Sequence, residues 1–201
     1  MFKLTFRFLA VCSCAVLCAC SSNAPTRFYL LNSSPRPVTA DSTPQVSQRQ
    51  IGFWRVRIPE YLDRSGIVSR LDQDQLWIAS NEKWAEPLQD NLTRVLSESF
   101  AAACSASTVV TLPQPLGEKV DFEVRPHFTH FERIEDRVVA ELRVIAIADS
   151  TGKLSSTTLQ VEEPCTGSDT ADTVACMSRA VGQLSQQMNA ALLESLPCAA
   201  S

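Results

Sequence analysis

Glycine is scarce in this chain, six residues in 201. None of the six falls in a G-x-S-x-G, G-x-x-x-x-G-K-[ST] or G-x-G-x-x-G pattern. The hydrolase nucleophile elbow and the glycine loops that cradle phosphates are therefore not written here. Histidine is scarcer still, limited to His127 and His130. On a regular strand, residues three apart point to opposite faces, and no third ligand accompanies them, so no metal site is expected. Glu162 and Glu163 are adjacent, face apart on a strand and read as a solvated edge. With no catalytic constellation left, the chain is not expected to be an enzyme or to carry a cofactor. Positive charge is short as well: 18 Lys and Arg against 22 Asp and Glu give a net charge of −4. No basic cluster interrupts that balance, which argues against nucleic acid and against charge-driven adhesion to anionic headgroups.

After residue 20 no apolar run approaches the roughly 20 residues a membrane helix needs. The one such run lies at the start. Lys3 and Arg7 form a basic n-region, and Phe8 to Ala19 carry no charge, proline or glycine. That core is too short for a span and suits an export signal over residues 1–19. It ends in Leu17-Cys18-Ala19-Cys20, followed by the polar Ser21-Ser22-Asn23. The pattern resembles a bacterial lipobox, which implies lipidation of Cys20, the mature N-terminus, by three palmitate-like acyl chains. Val11-Cys12-Ser13-Cys14 also fits, but it would leave only a stub of hydrophobic core. Acyl chains anchor a chain at about 0.8 kcal/mol per buried CH₂. Ser21 behind the lipid cysteine points to the outer membrane, with the domain facing the periplasm. Residues 20–26 then form a lipidated tether, reaching at most about 20 Å beyond Cys20.

The mature chain, about 180 residues, suits a single domain, placed at 27–201. Residues 32–49 are rich in Ser, Pro, Thr and Gln and read as an exposed loop. Short strands are expected at 27–31, 51–58, 66–70 and 75–79. Leu88, Leu92, Val95, Leu96 and Phe100 then recur at helical spacing, with Pro87 in the first turn. Strands return at 108–112, 120–125, 138–148 and 154–161, the last pair joined by a turn at Gly152. Val174, Met177, Val181, Leu184, Met188 and Ala191 mark a second long helix. The order predicts an α+β fold, a mostly antiparallel sheet with two amphipathic helices packed on one face.

Besides Cys20, the mature chain keeps Cys104, Cys165, Cys176 and Cys198. An even number in an oxidising compartment favours two disulfides over zinc, since no C-x₂-C pair is present. Cys176 and Cys198 are separated by about 33 Å of continuous helix, too far for a bond. Cys104–Cys198 with Cys165–Cys176 requires parallel helices; Cys104–Cys176 with Cys165–Cys198 requires antiparallel ones. Helices that return across one sheet face after similar strand pairs run parallel, which favours the first set.

Three stretches carry a family likeness: Pro59-Glu60-Tyr61-Leu62-Asp63-Arg64, Ile67-Val68-Ser69-Arg70, and Trp84-Ala85-Glu86-Pro87-Leu88 running to Asn91-Leu92. With Phe28-Tyr29-Leu30-Leu31 they resemble the PqiC/YmbA family of ABC-transport auxiliary lipoproteins. The cysteines are not part of that family's pattern. The resemblance implies a compact α/β domain on the inner leaflet of the outer membrane, without catalysis of its own. It also implies partners: an MCE-domain protein with associated ABC or membrane subunits moving lipids between membranes, and further copies of the chain in a homo-oligomer. The competing readings are a structural or assembly lipoprotein outside transport, and a lipid carrier with its own cavity, for which large apolar residues are too few. Residues 59–64, an aromatic ring amid charges of both signs, have the composition of a partner interface. The alternative is that Tyr61 and Leu62 cap the sheet. The interface reading expects Tyr61→Ala to fold normally yet capture less partner; an unfolded variant would favour the cap.

Overall fold

The computed structural model describes residues 24–32, 49–104, 107–113, 119–148, 152 and 154–198. The expected signal segment (1–19), Cys20 and nearly all of the expected 32–49 loop lie outside these residues. In chain order the elements are β1 (Arg27–Tyr29), β2 (Gln50–Trp54), a 3₁₀ turn (Glu60–Leu62), β3 (Gly66–Arg70), β4 (Leu76–Trp84) and α1 (Leu88–Ala103). There follow β5 (Thr108–Leu112), β6 (Phe122–Ile134), β7 (Arg137–Ala148), β8 (Leu154–Pro164) and α2 (Thr170–Leu193). The fold is α+β, with two helices and an unclosed eight-stranded sheet.

β6 is the spine. β7 pairs with it from Phe122 to Ile134, occupying one edge, and β8 continues beyond β7. A strand has only two edges, so β2 and β3 share the other one, β2 near the start (Ile51 opposite Phe122) and β3 at the end (Ser69 opposite Arg133). β5 extends the β2 branch, and β4 and β1 extend the β3 branch. The chain between the branches closes the gap. Arg57 donates its N–H to the Pro126 carbonyl at 3.0 Å and accepts from Phe128 N at 2.8 Å. Antiparallel ladders (β3–β4, β6–β7, β7–β8) hold most of the sheet, while β1–β4, β2–β5, β2–β6 and β3–β6 are parallel.

The helical stripes are core. Leu88, Leu92, Val95, Leu96 and Phe100 of α1 are buried, as are Val174, Met177, Val181, Leu184 and Met188 of α2. The α2 stripe packs on β7, where alternate residues Val138, Ala140, Leu142, Val144 and Ala146 are buried, while α1 packs against α2 and β5 and sets Phe100 beside Phe53 of β2. Pro87 stands one residue outside the first turn, as the N-cap of α1. At α2 the Asp169 side chain accepts the Asp172 N–H at 2.7 Å, satisfying one of the free donors of the helix start. Gly152, with φ +61°, turns the chain between β7 and β8, a conformation that costs a glycine little.

The helices run parallel. Early in both, Asn91 and Ser178 accept the N–H groups of Leu31 and Asn32 at 2.9 and 3.2 Å. Later in both, Asn189 donates to the Ser99 carbonyl at 3.2 Å. Their C-terminal ends therefore adjoin, and there Cys104 bonds Cys198; Cys165 at the end of β8 bonds Cys176 in α2. A sequence separation of 94 makes the first bond worth about 4.6 kcal/mol in the chain-entropy account, against about 3 kcal/mol for a separation of 11. Replacing Cys104 and Cys198 by Ala should therefore lower the unfolding free energy more than replacing Cys165 and Cys176. Non-reducing peptide maps should recover 104–198 and 165–176; a 104–176 peptide would overturn the assignment.

Candidate functional site

The three stretches singled out in the sequence converge on buried polar anchors. Glu132 is fully buried on the sheet face away from its buried neighbour Phe131. Tyr61, in the 3₁₀ turn, donates its hydroxyl to Glu132 Oε2 at 2.5 Å. Arg70, at the end of β3, places Nε 2.9 Å and Nη2 2.8 Å from Glu132 Oε1. The guanidinium carbon also stands 5.8 Å from the Tyr61 ring centre. A charge taken out of water survives only when paired and hydrogen-bonded, and Glu132 is both. The Phe131 N–H adds a further donor at 3.2 Å.

Burial, then the hydrogen bond and charge of Glu132, push the Tyr61 phenol well above its ordinary value, with Arg70 opposing. Chiefly through the Glu132 hydrogen bond, Arg70 is held more firmly in its charged form.

The third stretch has its own anchor. Asn91 is fully buried; its carbonyl accepts the Leu31 N–H and its amide donates to Glu86. Ala85 N donates to the Tyr29 carbonyl at 2.9 Å. The Phe28–Leu31 segment is thereby stitched to the start of α1, and Trp84 between them is 6 % exposed.

Within residues 59–64 the side chains divide. Leu62 is buried, Pro59 and Tyr61 are half-buried, and Glu60, Asp63 and Arg64 are exposed. The turn is closed by Leu62 N donating to the Pro59 carbonyl and Asp63 N to that of Glu60. A pinned turn thus carries three charged side chains outward. Cys20 lies outside the described residues.

Sequence reasoning missed Glu132, whose only signal is an acid next to Phe131 in an apolar strand. It also missed a second cluster, in which Trp54 Nε1 donates to Glu123 Oε2 at 2.8 Å and Arg125 lies 5.2 Å over the Trp54 ring. The histidine argument is corrected. A bulge between Phe128 and His130 adds one residue, so His127 and His130 oppose Arg143 and Glu141 and share a face. Among the described residues no group of three His, Cys, Asp or Glu is placed to hold a metal. Burial and then the charges of Arg57 and Arg143 hold His127 below its usual value. Glu162 and Glu163 do face apart: Glu162 pairs with Arg137 at 3.2 Å, and Glu163 with Arg179 on α2 at 2.6 Å.

These polar groups tie the protein's own elements together into an α+β scaffold of one sheet and two helices. The family described as the ABC-type transport auxiliary lipoprotein component matches residues 29–189, and the chain belongs to it. Among solved structures, protein XCC0632 from Xanthomonas campestris superposes with a TM-score of 0.68 at 20% identity, covering 84% of this chain and 95% of that one. A crystal structure of an uncharacterized protein gives 0.69 at 19% identity, over 84% and 99%. At such identities both show the fold alone. No curated protein matches the chain. No helix among the described residues is long and apolar enough to cross a membrane.

Glu132→Ala leaves the half-buried Tyr61 hydroxyl and the part-exposed Arg70 without their acceptor and should cost about 1–3 kcal/mol. Tyr61→Phe removes one hydrogen bond to a charged group, about 1.5–3 kcal/mol. The raised Tyr61 value has a signature of its own. Stability from the neutral phenol is complete below the unfolded value, about pH 10, and drains away as pH rises toward the folded one. Urea midpoints followed from about pH 9 to 11 should fall in the wild type and fall less in Tyr61→Phe; equal slopes would contradict the Tyr61–Glu132 bond.

Proposed function

We propose that this protein is the lipid-anchored, non-catalytic docking subunit of an MCE-type intermembrane lipid transport system. It is tethered through lipidated Cys20 to the inner leaflet of the outer membrane and faces the periplasm. There it acts as a homo-oligomer that receives an MCE-domain protein and, with it, ABC or membrane subunits. The observation that carries the reading is the family match over residues 29–189. The surface supports it: Glu60, Asp63 and Arg64 are exposed on a turn whose one aromatic ring is held from beneath by Glu132. A surface fixed before the encounter loses less side-chain and loop freedom on binding.

The test is gentle solubilisation of membranes, capture of the tagged lipoprotein and mass spectrometry of what co-purifies. An MCE-domain protein with ABC or membrane subunits is the expected result. Recovery of the lipoprotein alone, or with outer-membrane assembly proteins, would overturn it in favour of a structural or assembly role. Because Tyr61 has an internal partner, the docking surface is better tested at its exposed neighbours. Reversing the charges of Glu60, Asp63 and Arg64 together should leave the melting temperature nearly unchanged and cut recovery of the partner about tenfold or more, as loss of about 1.4 kcal/mol or more would. Undiminished recovery would place the docking surface elsewhere.

A further inference from the structure

Six large apolar side chains stand exposed among the described residues, and five of them border one edge of the sheet. They are Phe28 and Leu30 in and just after β1, Leu71 in the β3–β4 turn, and Trp77 and Ile78 on β4; the sixth, Leu193, ends α2. Phe28 is 66% exposed and Trp77 44%. Scattered single residues of this kind are ordinary on a protein surface; a cluster marks a contact.

The strand direction says what the contact faces. β1 is parallel to β4, with Arg27 opposite Glu82 and Tyr29 opposite Trp84. The chain that precedes β1 therefore runs back along β4 toward the β3–β4 turn. Ala24 and Pro25 accordingly share a cleft of about 420 Å³ with Trp77 and Ala79. Trp77 and Leu71 also line the depression beside it. On the opposite face of the same edge, Phe28 lies across from Lys83, Lys83 across from Gly66, and Ile78 Cγ2 rests over Gly66. The apolar groups thus rim both faces of the edge where the N-terminal segment leaves the domain. Only Ser21, Ser22 and Asn23 lie between Cys20 and Ala24, so the four steps span at most about 14 Å of extended chain.

We propose that this edge is a second membrane contact, in which Trp77, Ile78, Leu71 and Phe28 seat in the headgroup layer of the bilayer that holds the Cys20 lipid. The inference rests on the reading of Cys20 as lipidated. Tryptophan beside cations is the composition of a bilayer interface, where the ring is half wet and half apolar. Here Trp77 stands beside Arg27, and Phe28 beside Lys83. Asp72 and Asp74, exposed in the turn, keep its tip out of the acyl layer, so the edge lies flat in the interface and does not plunge. The contact is apolar in origin and needs no anionic lipid, which agrees with the chain's negative charge. A short tether alone lets the domain tumble above the membrane; a tether plus this edge fixes which side faces the periplasm.

The experiment uses the full-length lipidated protein reconstituted in vesicles of phosphatidylethanolamine and phosphatidylcholine, part of the latter carrying acyl-chain bromine. Tryptophan emission should be quenched relative to bromine-free vesicles, and Trp77→Phe, a conservative change at an exposed site, should lose most of the quenched component. A vesicle-embedded protein quenched no more than Trp77→Phe overturns the proposal and leaves the anchor standing. A mature N-terminal peptide whose mass shows no lipid on Cys20 overturns both. Shielding of Trp77 that arises only when transport subunits are added gives the edge to a protein contact, and likewise overturns it.

Discussion

Three parts of the chain depend on one carboxylate. Glu132 lies at the end of the long central strand with no exposure, and it receives Tyr61 from the turn that leaves β2 and Arg70 from the end of β3. The sheet needs such a tie because it forks there. β2 and β3 must share one edge of β6, and the chain between them has to cross from one branch to the other. Backbone pairing at Arg57 spans part of the gap, and the Tyr61–Glu132–Arg70 cluster fixes the rest. Apolar packing could supply comparable stability at that position. The hydrogen bonds differ from such packing in being directional, Tyr61 reaching Oε2 and Arg70 reaching Oε1 of the same carboxylate.

That distinction connects fold to role. The chain belongs to the ABC-type transport auxiliary lipoprotein family, and the docking role proposed for it asks for a surface whose shape is held before the partner arrives. The Tyr61 turn, the Asn91 link between the Phe28–Leu31 segment and α1, and the disulfide at the far end of both helices all restrict motion between elements. Each polar anchor points inward, and each leaves charged neighbours outward. The N-terminal segment leaves the sheet beside Trp77, at the edge where most of the exposed apolar groups stand.

Both helices were legible from the sequence because their stripes repeat at helical spacing over several turns, and no competing period intrudes. Their parallel course followed from chain order, and that in turn chose between the two cysteine pairings. Strand signals were weaker. β6 was read only over its first residues because Pro126 usually ends a strand; here its carbonyl is used by Arg57, and the strand runs on to Ile134. The bulge at Thr129 left no trace in the sequence, yet it decides which faces His127 and His130 occupy. Glu132 was invisible for the same reason, since a strand acid reads as solvated until its partners, more than 60 residues away, are known. The quoted stretches were legible as important, and the composition of residues 59–64 suggested an interface. Their inward half turned out to be scaffolding.

The central claim is that the Tyr61 turn, β3 and the end of β6 open together and not separately. Native-state hydrogen exchange tests it directly, because cooperative units share one opening free energy. Protection of the Leu62 and Asp63 amides should match that of the β6 amides near Glu132 and fall with them in Glu132→Gln. A turn that exchanges freely while β6 stays protected would contradict the account.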